Sequence, residues 1–172
     1  DRDRLINKDA QSQLLPSPLV GNPTASFAPG PLENRHEMWN SKLNISTAIW
    51  ELDTFSWNLV DAGVGSGAAQ ALDPAGYDEN DYYGSNFLIK PLEFGKAWTF
   101  NGNLGFTVLD LDAHFVLFPP GAEFAGFLFD EGVIGNPSYL EKTTFGEMVS
   151  THASDSINIR IAAGFRRQEF EA

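Results

Sequence analysis

Residues 98–129, WTFNGNLGFTVLDLDAHFVLFPPGAEFAGFLF, decide the fold class of this chain. Aromatic and β-branched residues are frequent in this segment, which is typical of β-strands in close succession. The pair Asn101-Gly102 is the clearest turn signal, since it readily adopts the positive φ of a hairpin turn. Pro119 and Pro120 end the longest run. We therefore predict strands before, between and after these two interruptions.

The rest of the chain adds further strands and a few helical turns. Strands are predicted at residues 44–60, 87–94 and 157–165, short helical segments at 31–42 and near 141–148, and a long loop at 61–86. In the last strand we expect Ile157, Ile159 and Ile161 to face the core. Seven or eight strands with one or two short helices predict an all-β protein, an antiparallel β-sandwich of jelly-roll type, with a small β-barrel as the alternative.

The composition fits a single folded domain with many tight turns. Apolar residues make up 42% of the chain and charged residues 20%, while Gly (16) and Pro (10) are frequent. Cysteine is absent, which excludes disulfides, thiolate catalysis and Cys-bound zinc. We expect no membrane insertion, because no run of about 18 apolar residues is present.

The charge distribution bears on the partners of this chain. The formal net charge of −12 disfavours nucleic acid, whose phosphates need Lys and Arg. Bases gather at the two ends, at Arg2 and Arg4 and again at Arg166 and Arg167, around an acidic body. Basic ends on an acidic body predict contacts between neighbouring subunits through complementary fields; an unevenly charged, solvated surface is the alternative.

The first part of the chain predicts an arm. Residues 1–31 carry several prolines and isolated apolar side chains, so this segment should be extended, with residues 32–172 forming a single β-rich domain. Leu14, Leu15 and Phe27 are the apolar arm residues that we expect to contact a partner. Arms of this kind gain affinity by covering a neighbouring surface at low entropic cost.

One row of side chains could carry chemistry. Asp110, Asp112 and His114 occupy alternate positions and should share one strand face. Two carboxylates and an imidazole could bind a divalent cation or act as acid and base, with Arg160 as a counter-charge. Simple alternation on a half-buried strand would instead turn this row to solvent.

A second acidic cluster lies in the predicted loop. Asp78 and Asp81 offer oxygen ligands of the kind that Ca²⁺ accepts, although the spacing is not that of an EF-hand, and a solvated loop tip is the alternative. Tyr77, Tyr82 and Tyr83 flank these carboxylates and predict a contact surface, because aromatic side chains give large contact area at low entropic cost. A divalent cation is the only cofactor that these residues suggest.

These features favour a structural subunit over an enzyme. We predict a chain that contacts copies of itself or other subunits of a particle, most concretely a virion coat, decoration or fibre component, in an extracellular or virion setting. Two alternatives use the row at Asp110, Asp112 and His114: a β-barrel isomerase or cyclase, and a calcium-supported carbohydrate-binding module.

Overall fold

The computed structural model describes residues 5–13, 25–64 and 72–172. The protein is all-β, with 71% of the described residues in strands. Within the described ranges there is no α-helix, and one turn of 3₁₀-helix covers Gln11–Gln13. No described helix has the length and apolar character needed to cross a membrane. The all-β prediction is therefore confirmed, and the prediction of one or two short helices is wrong for the described residues.

Long strands dominate the chain. The strands are β1 (Leu5–Ile6), β2 (Gly30–Pro31), β3 (Glu37–Ser46), β4 (Trp50–Gly63), β5 (Tyr77–Phe94), β6 (Trp98–Phe118), β7 (Ala122–Phe124), β8 (Phe127–Phe129), β9 (Val133–Gly135), β10 (Ser138–Ala153) and β11 (Asn158–Glu171). The main antiparallel sheet has the order β11-β10-β6-β5-β4-β3, with β9 also pairing β6. β1 pairs β2 and β7 pairs β8. Among the described residues no closed barrel forms.

Neither of the two predicted helical segments is helical. Residues 37–42 belong to β3, where Trp39, Leu43 and Ile45 occupy alternate positions, so the period of two prevails over the helical spacing. Residues 141–148 lie inside β10, which pairs with β11 in unbroken register from Leu140 to Ala153. Pairing with a neighbouring strand decides such ambiguous segments, because it gives their backbone groups hydrogen-bond partners outside the segment.

The predicted turn at Asn101-Gly102 is also wrong, because β6 runs through it. A Cβ on Gly102 would lie 2.9 Å from the Glu147 carbonyl oxygen, so the glycine permits close approach of β10. The predicted loop at 61–86 is likewise shorter than expected: β4 continues to Gly63 and β5 begins at Tyr77, while residues 65–71 lie outside the described residues.

The chain divides into two compact units. The first contains residues 1–38, 59–80 and 111–138, and the second contains residues 39–58, 81–110 and 139–172. The first unit has a small core of short side chains, several of them fully or nearly buried: Ala25, Ala28, Ala62, Leu72, Ala113, Val116 and Ala122. The second unit carries most of the length of the long strands.

Buried carboxylates organise the first unit. Asp9 accepts hydrogen bonds from the Leu72 amide (2.7 Å), the Ser26 hydroxyl (2.5 Å) and the Ser12 amide (2.7 Å). Burial alone would raise the pKa of Asp9, but these hydrogen bonds outweigh it and the pKa lies below its usual value. Asp9 thus ties residues 9–13 to the segments at 25–28 and 72 with a charged side chain.

Candidate interaction surface

The predicted row on β6 is divided between the two units. Asp110 belongs to the second unit, whereas Asp112 and His114 belong to the first. Both carboxylates are exposed. His114 is half-buried: its ring stacks on Tyr77 with centroids 5.6 Å apart, and its Nδ1 lies 2.5 Å from Asn136 Oδ1. No group of three His, Asp or Glu side chains within the described ranges could hold a metal ion.

Arg160, the expected counter-charge, lies on β11. There it pairs with Thr151 of β10, so a whole strand separates it from β6 in the sheet order. Its face is fixed by alternation: Ile159 and Ile161 lie on the face of their partners His152 and Ser150, and Arg160 lies on the other. The structure therefore does not bring Arg160 to the carboxylate of Asp110.

The acidic and tyrosine residues predicted to lie in a loop are part of β5. Asp78 accepts a hydrogen bond from Asn80 at 2.7 Å, and Asp81 accepts one from Asn58. Successive strand positions alternate, so Asp78 and Asp81 point to opposite faces.

Each tyrosine at this end of β5 has a distinct place. Tyr77 stacks on His114, Tyr82 packs on Phe55 with ring centroids 5.0 Å apart, and Tyr83 is exposed. Phe27 is half-buried, and the remaining two arm residues, Leu14 and Leu15, lie outside the described residues.

An exposed ion pair in the first unit fixes the end of β4. Arg35 donates from Nε and Nη2 to the two carboxylate oxygens of Asp61, at 3.0 and 2.9 Å. The hydrogen bond lowers the pKa of Asp61 and raises the pKa of Arg35. Asp61 has a φ of 45°, a left-handed conformation, so the pair holds a backbone position that Asp tolerates better than most residues. Exposed pairs of this type contribute little stability.

The largest unusual feature is one face of the sheet in the second unit, which we call the apolar face. Contacts connect it from strand to strand: Trp50 of β4 stacks on Phe87 of β5, with centroids 5.8 Å apart. Trp98 of β6 packs on His152 of β10, with centroids 4.8 Å apart, and His152 is the register partner of Ile159 in β11. With strand alternation, these contacts define the apolar face as Trp39, Leu43, Ile45, Trp50, Leu52, Tyr83, Phe87, Ile89, Trp98, Phe100, Leu104, Phe106, Val108, Met148, Ile159, Ile161, Ala163 and Phe165.

Much of this face is in contact with solvent. Met148 is 58% exposed, Ile161 58%, Phe165 56% and Leu104 54%. A hollow of about 560 Å³ lies among Phe87, Phe100, Leu104, Met148, Phe165 and their neighbours. Side chains of this size are normally buried in water-soluble monomers, and contiguous apolar patches of this kind mark sites of interaction. The expectation that Ile157, Ile159 and Ile161 face a core is thus wrong for this chain on its own.

The opposite face, which we call the polar face, carries the charges of the strands in the second unit. Asn44 donates to Glu51 at 3.0 Å and to Asp53 at 2.7 Å. Lys90 donates to the Ser46 hydroxyl at 2.7 Å and to the Thr47 carbonyl at 2.8 Å. Phe55 and Phe145 also lie on this face, over Gly84 and Gly105, and Tyr82 packs on the Phe55 ring. The polar face thus combines charged and aromatic side chains, whereas on β5 the apolar face carries no charge between Asp81 and Glu93.

The two outer strands of the sheet are open. All 10 residues of β3 and all 14 residues of β11 are exposed. Among the strands of the described residues, β3 has only β4 as a neighbour and β11 only β10. An outer strand leaves every second N–H and C=O unpaired along its free side, which is a template for another strand.

Comparisons with protein-family models, curated protein sequences and solved structures found no match.

Sequence reasoning missed the apolar face, although its signal was present. The residues from Trp98 to Val108 alternate with a period of two through the supposed turn. A glycine at position 102 keeps that period, so counting the alternation across the turn signal would have revealed one long strand.

Proposed function

We propose that this chain is a structural subunit that assembles with further copies of itself through the open strands β3 and β11. The observation that carries the proposal is the full exposure of β11 over 14 residues, with a strand of the described part of the chain on one side only. Long outer strands are normally shielded by charge, proline, bulges or a covering element. Here β11 keeps an unbroken register and contains no proline, so it is suited to pairing.

The hydrogen-bonding pattern identifies which backbone groups are available. The Ser154 amide donates to the Ile157 carbonyl at 2.9 Å, so these two residues form a hydrogen-bonded pair at the hairpin. Pair types alternate along an antiparallel ladder, and the register of β10 and β11 has no shift. Val149 and Ala162 are therefore a non-hydrogen-bonded pair. The N–H and C=O of Ala162 consequently point away from β10, towards the open side.

Strand direction and side-chain character favour pairing of β11 with β3 of the next copy. Six strands in antiparallel order place β3 and β11 in opposite directions, so joining them continues the alternation of the sheet. Leu43 and Ile45 of β3 and Ile161 and Phe165 of β11 all lie on the apolar face of their strands. Joining the two strands would therefore continue these apolar side chains from one copy to the next. Such head-to-tail contacts close into a ring or extend into a filament.

Two more specific predictions from the sequence, the virion setting and the jelly-roll-like sandwich, are compatible with this assembly but are not required by it. A virion coat, decoration or fibre component is one setting for it. A jelly-roll-like sandwich would need a second sheet over the apolar face, supplied by another copy packed face to face. No observation on the described residues favours the isomerase, the cyclase or the carbohydrate-binding module, since Asp110 and Asp112 are exposed.

The test is a proline substitution on the open side of β11. Ala162→Pro removes the outward N–H, whereas Ala162→Val keeps it and serves as the matched control. The mass of each full-length protein is measured by light scattering after size exclusion, in a mild detergent that shields the apolar face.

We expect the unmodified chain and Ala162→Val to form oligomers and Ala162→Pro to be monomeric, with unchanged far-ultraviolet circular dichroism. A monomer for the unmodified chain refutes the proposal. So does an Ala162→Pro oligomer of the same mass, because assembly would then not use this strand.

A further inference from the structure

We infer that the apolar face contacts the hydrocarbon chains of lipid. This inference deepens the proposed function, on which it rests, by naming what covers the face while strand pairing joins the copies. It departs from the expectation of no membrane insertion, which considered only continuous apolar runs. A strand with one face towards lipid is apolar at every second residue, so it contains no such run.

The first argument is the absence of charge. On β6 the apolar face reads Trp98, Phe100, Gly102, Leu104, Phe106 and Val108, and the first charged residue is Asp110. The neighbouring strands follow the same rule, since Lys142 and Arg167 are the first charges on this face of β10 and β11. On β5 the charges nearest the band on this face are Asp81 and Glu93, one towards each end. Between these charges the titratable side chains are Tyr83 and His152, and the His152 ring packs on Trp98. A charge at the centre of a bilayer costs several kcal/mol, so exclusion of charge is what lipid requires.

The second argument is the length of the uncharged band. From Trp98 to Val108 the strand advances ten residues, or about 33 Å at a rise of about 3.3 Å per residue. Strands in lipid are tilted by about 45°, which projects this length to about 23 Å. The apolar band of lipid-facing sheets is about 25 Å tall. On β6 the uncharged band therefore has about this height, while on β11 it is shorter, because Arg167 lies level with Phe106 across Thr144 of β10.

The third argument is the placement of aromatic side chains. Trp98 and Trp50 follow directly after hairpins and so lie at one end of the band. Trp39 and Tyr83 lie towards the other ends of their strands, and both are exposed, at 51% and 43%. Tryptophan and tyrosine favour the level of the lipid head groups, where an apolar ring and a polar N–H or O–H are both accommodated.

The extent of the face also separates lipid from a protein partner. A protein interface has a bounded apolar centre with a polar rim. Here the uncharged band continues across all six strands and reaches both open strands, at Leu43 and at Ile161. In lipid, unpaired backbone groups on those two strands would be costly. Lipid contact therefore requires the strand pairing of the proposed function.

The experiment uses quenching of tryptophan fluorescence by lipids brominated on their acyl chains. The chain has four tryptophans, of which Trp57 alone lies on the polar face by alternation from Trp50. One full-length variant keeps Trp98 and a second keeps Trp57, with the other three changed to Phe in each. Both are folded in the presence of vesicles of dioleoyl phosphatidylcholine, with and without its brominated analogue.

We expect brominated lipid to reduce the fluorescence of the Trp98 variant at least twofold and that of the Trp57 variant by less than a fifth. Equal quenching of the two, or none in either, overturns the inference. A second pair tests the same face: Leu104→Asp should lower the vesicle-bound fraction at least tenfold, while Asn103→Asp, the adjacent residue on the polar face, should leave it within twofold. Equal effects of the two substitutions also refute lipid contact.

The two proposals fail in different ways. If Ala162→Pro disrupts oligomers but Trp98 is not quenched, the chain assembles and its apolar face is covered by protein, which refutes lipid contact alone. If the unmodified chain is monomeric in detergent, the assembly proposal fails, whatever the quenching.

Discussion

Replacing Asp73 by alanine should loosen the first unit locally and strongly. Asp73 is completely buried. Its Oδ2 accepts the Val116 amide at 2.7 Å, and its Oδ1 accepts the Gly76 amide at 2.9 Å and the Ala75 amide at 3.2 Å. One carboxylate therefore satisfies three backbone donors, and it connects the segment at 73–76 to β6.

The free-energy cost of removing the Asp73 carboxylate depends on which of the three backbone donors water can reach. Ala75 is exposed, so its amide finds a water molecule when the carboxylate is removed. Gly76 and Val116 are buried and their amides would be left without a partner. An orphaned buried donor costs about 1–3 kcal/mol, so the two together cost about 2–6 kcal/mol. Even the lower limit corresponds to roughly thirtyfold faster local opening, because every 1.4 kcal/mol is a factor of ten.

Hydrogen exchange at the Val116 and Gly76 amides measures this opening directly. Asp112→Ala is the matched control, since it removes an exposed carboxylate from the same strand as Val116. We expect at least thirtyfold faster exchange at both amides in Asp73→Ala and less than threefold change in Asp112→Ala. Exchange in Asp73→Ala within threefold of the unmodified chain would refute the account of Asp73 as the acceptor that holds these amides.

Two further predictions concern Asp9 and Gly105. The pKa of Asp9 is lowered in the folded chain, so the stability that its carboxylate supplies is present above its unfolded pKa near 3.8 and is lost as the pH falls through the folded value. The difference in urea-unfolding free energy between the unmodified chain and Asp9→Ala should therefore be constant above about pH 5 and shrink in more acidic solution. A difference that is independent of pH would contradict this account. A Cβ on Gly105 would lie 2.6 Å from the Phe145 ring and 2.8 Å from the Ser85 carbonyl oxygen. Gly105→Ala should therefore force β5 and β10 apart and lower the thermal midpoint of unfolding, at a cost of about 1–3 kcal/mol. The control Asn103→Ala should change the thermal midpoint little.

The candidate sites show the limit of reasoning along a single strand. Alternation correctly places Asp110, Asp112 and His114 on β6, but it says nothing of which residues from other strands oppose them. Arg160 lies a strand away and on the other face, and His114 has Tyr77 and Asn136 as neighbours. These neighbours follow from the pairing of distant segments, which local pattern does not encode.

Asp73 and Gly102 show the same limit for structural roles. In the sequence Asp73 precedes a proline and is typical of a turn, yet it is the fully buried acceptor for a strand 43 residues away. Gly102 is typical of a hairpin, yet its missing side chain allows β10 to approach β6. Each of these residues is compatible with more than one local conformation, so its role depends on the backbone that packs against it.

The sequence by itself determined that this protein is all-β, because alternating apolar residues, β-branched and aromatic side chains, and frequent Gly and Pro are incompatible with long helices. It also determined which side chains of a strand share a face, since a period of two assigns each residue to one of two faces. Only the tertiary structure decided which face is covered. Ile159, Ile161 and Phe165 would suit a core equally well, and they remain exposed because no other described element packs over them. Burial depends on which surfaces meet in space, and that is a property of the whole chain and its partners.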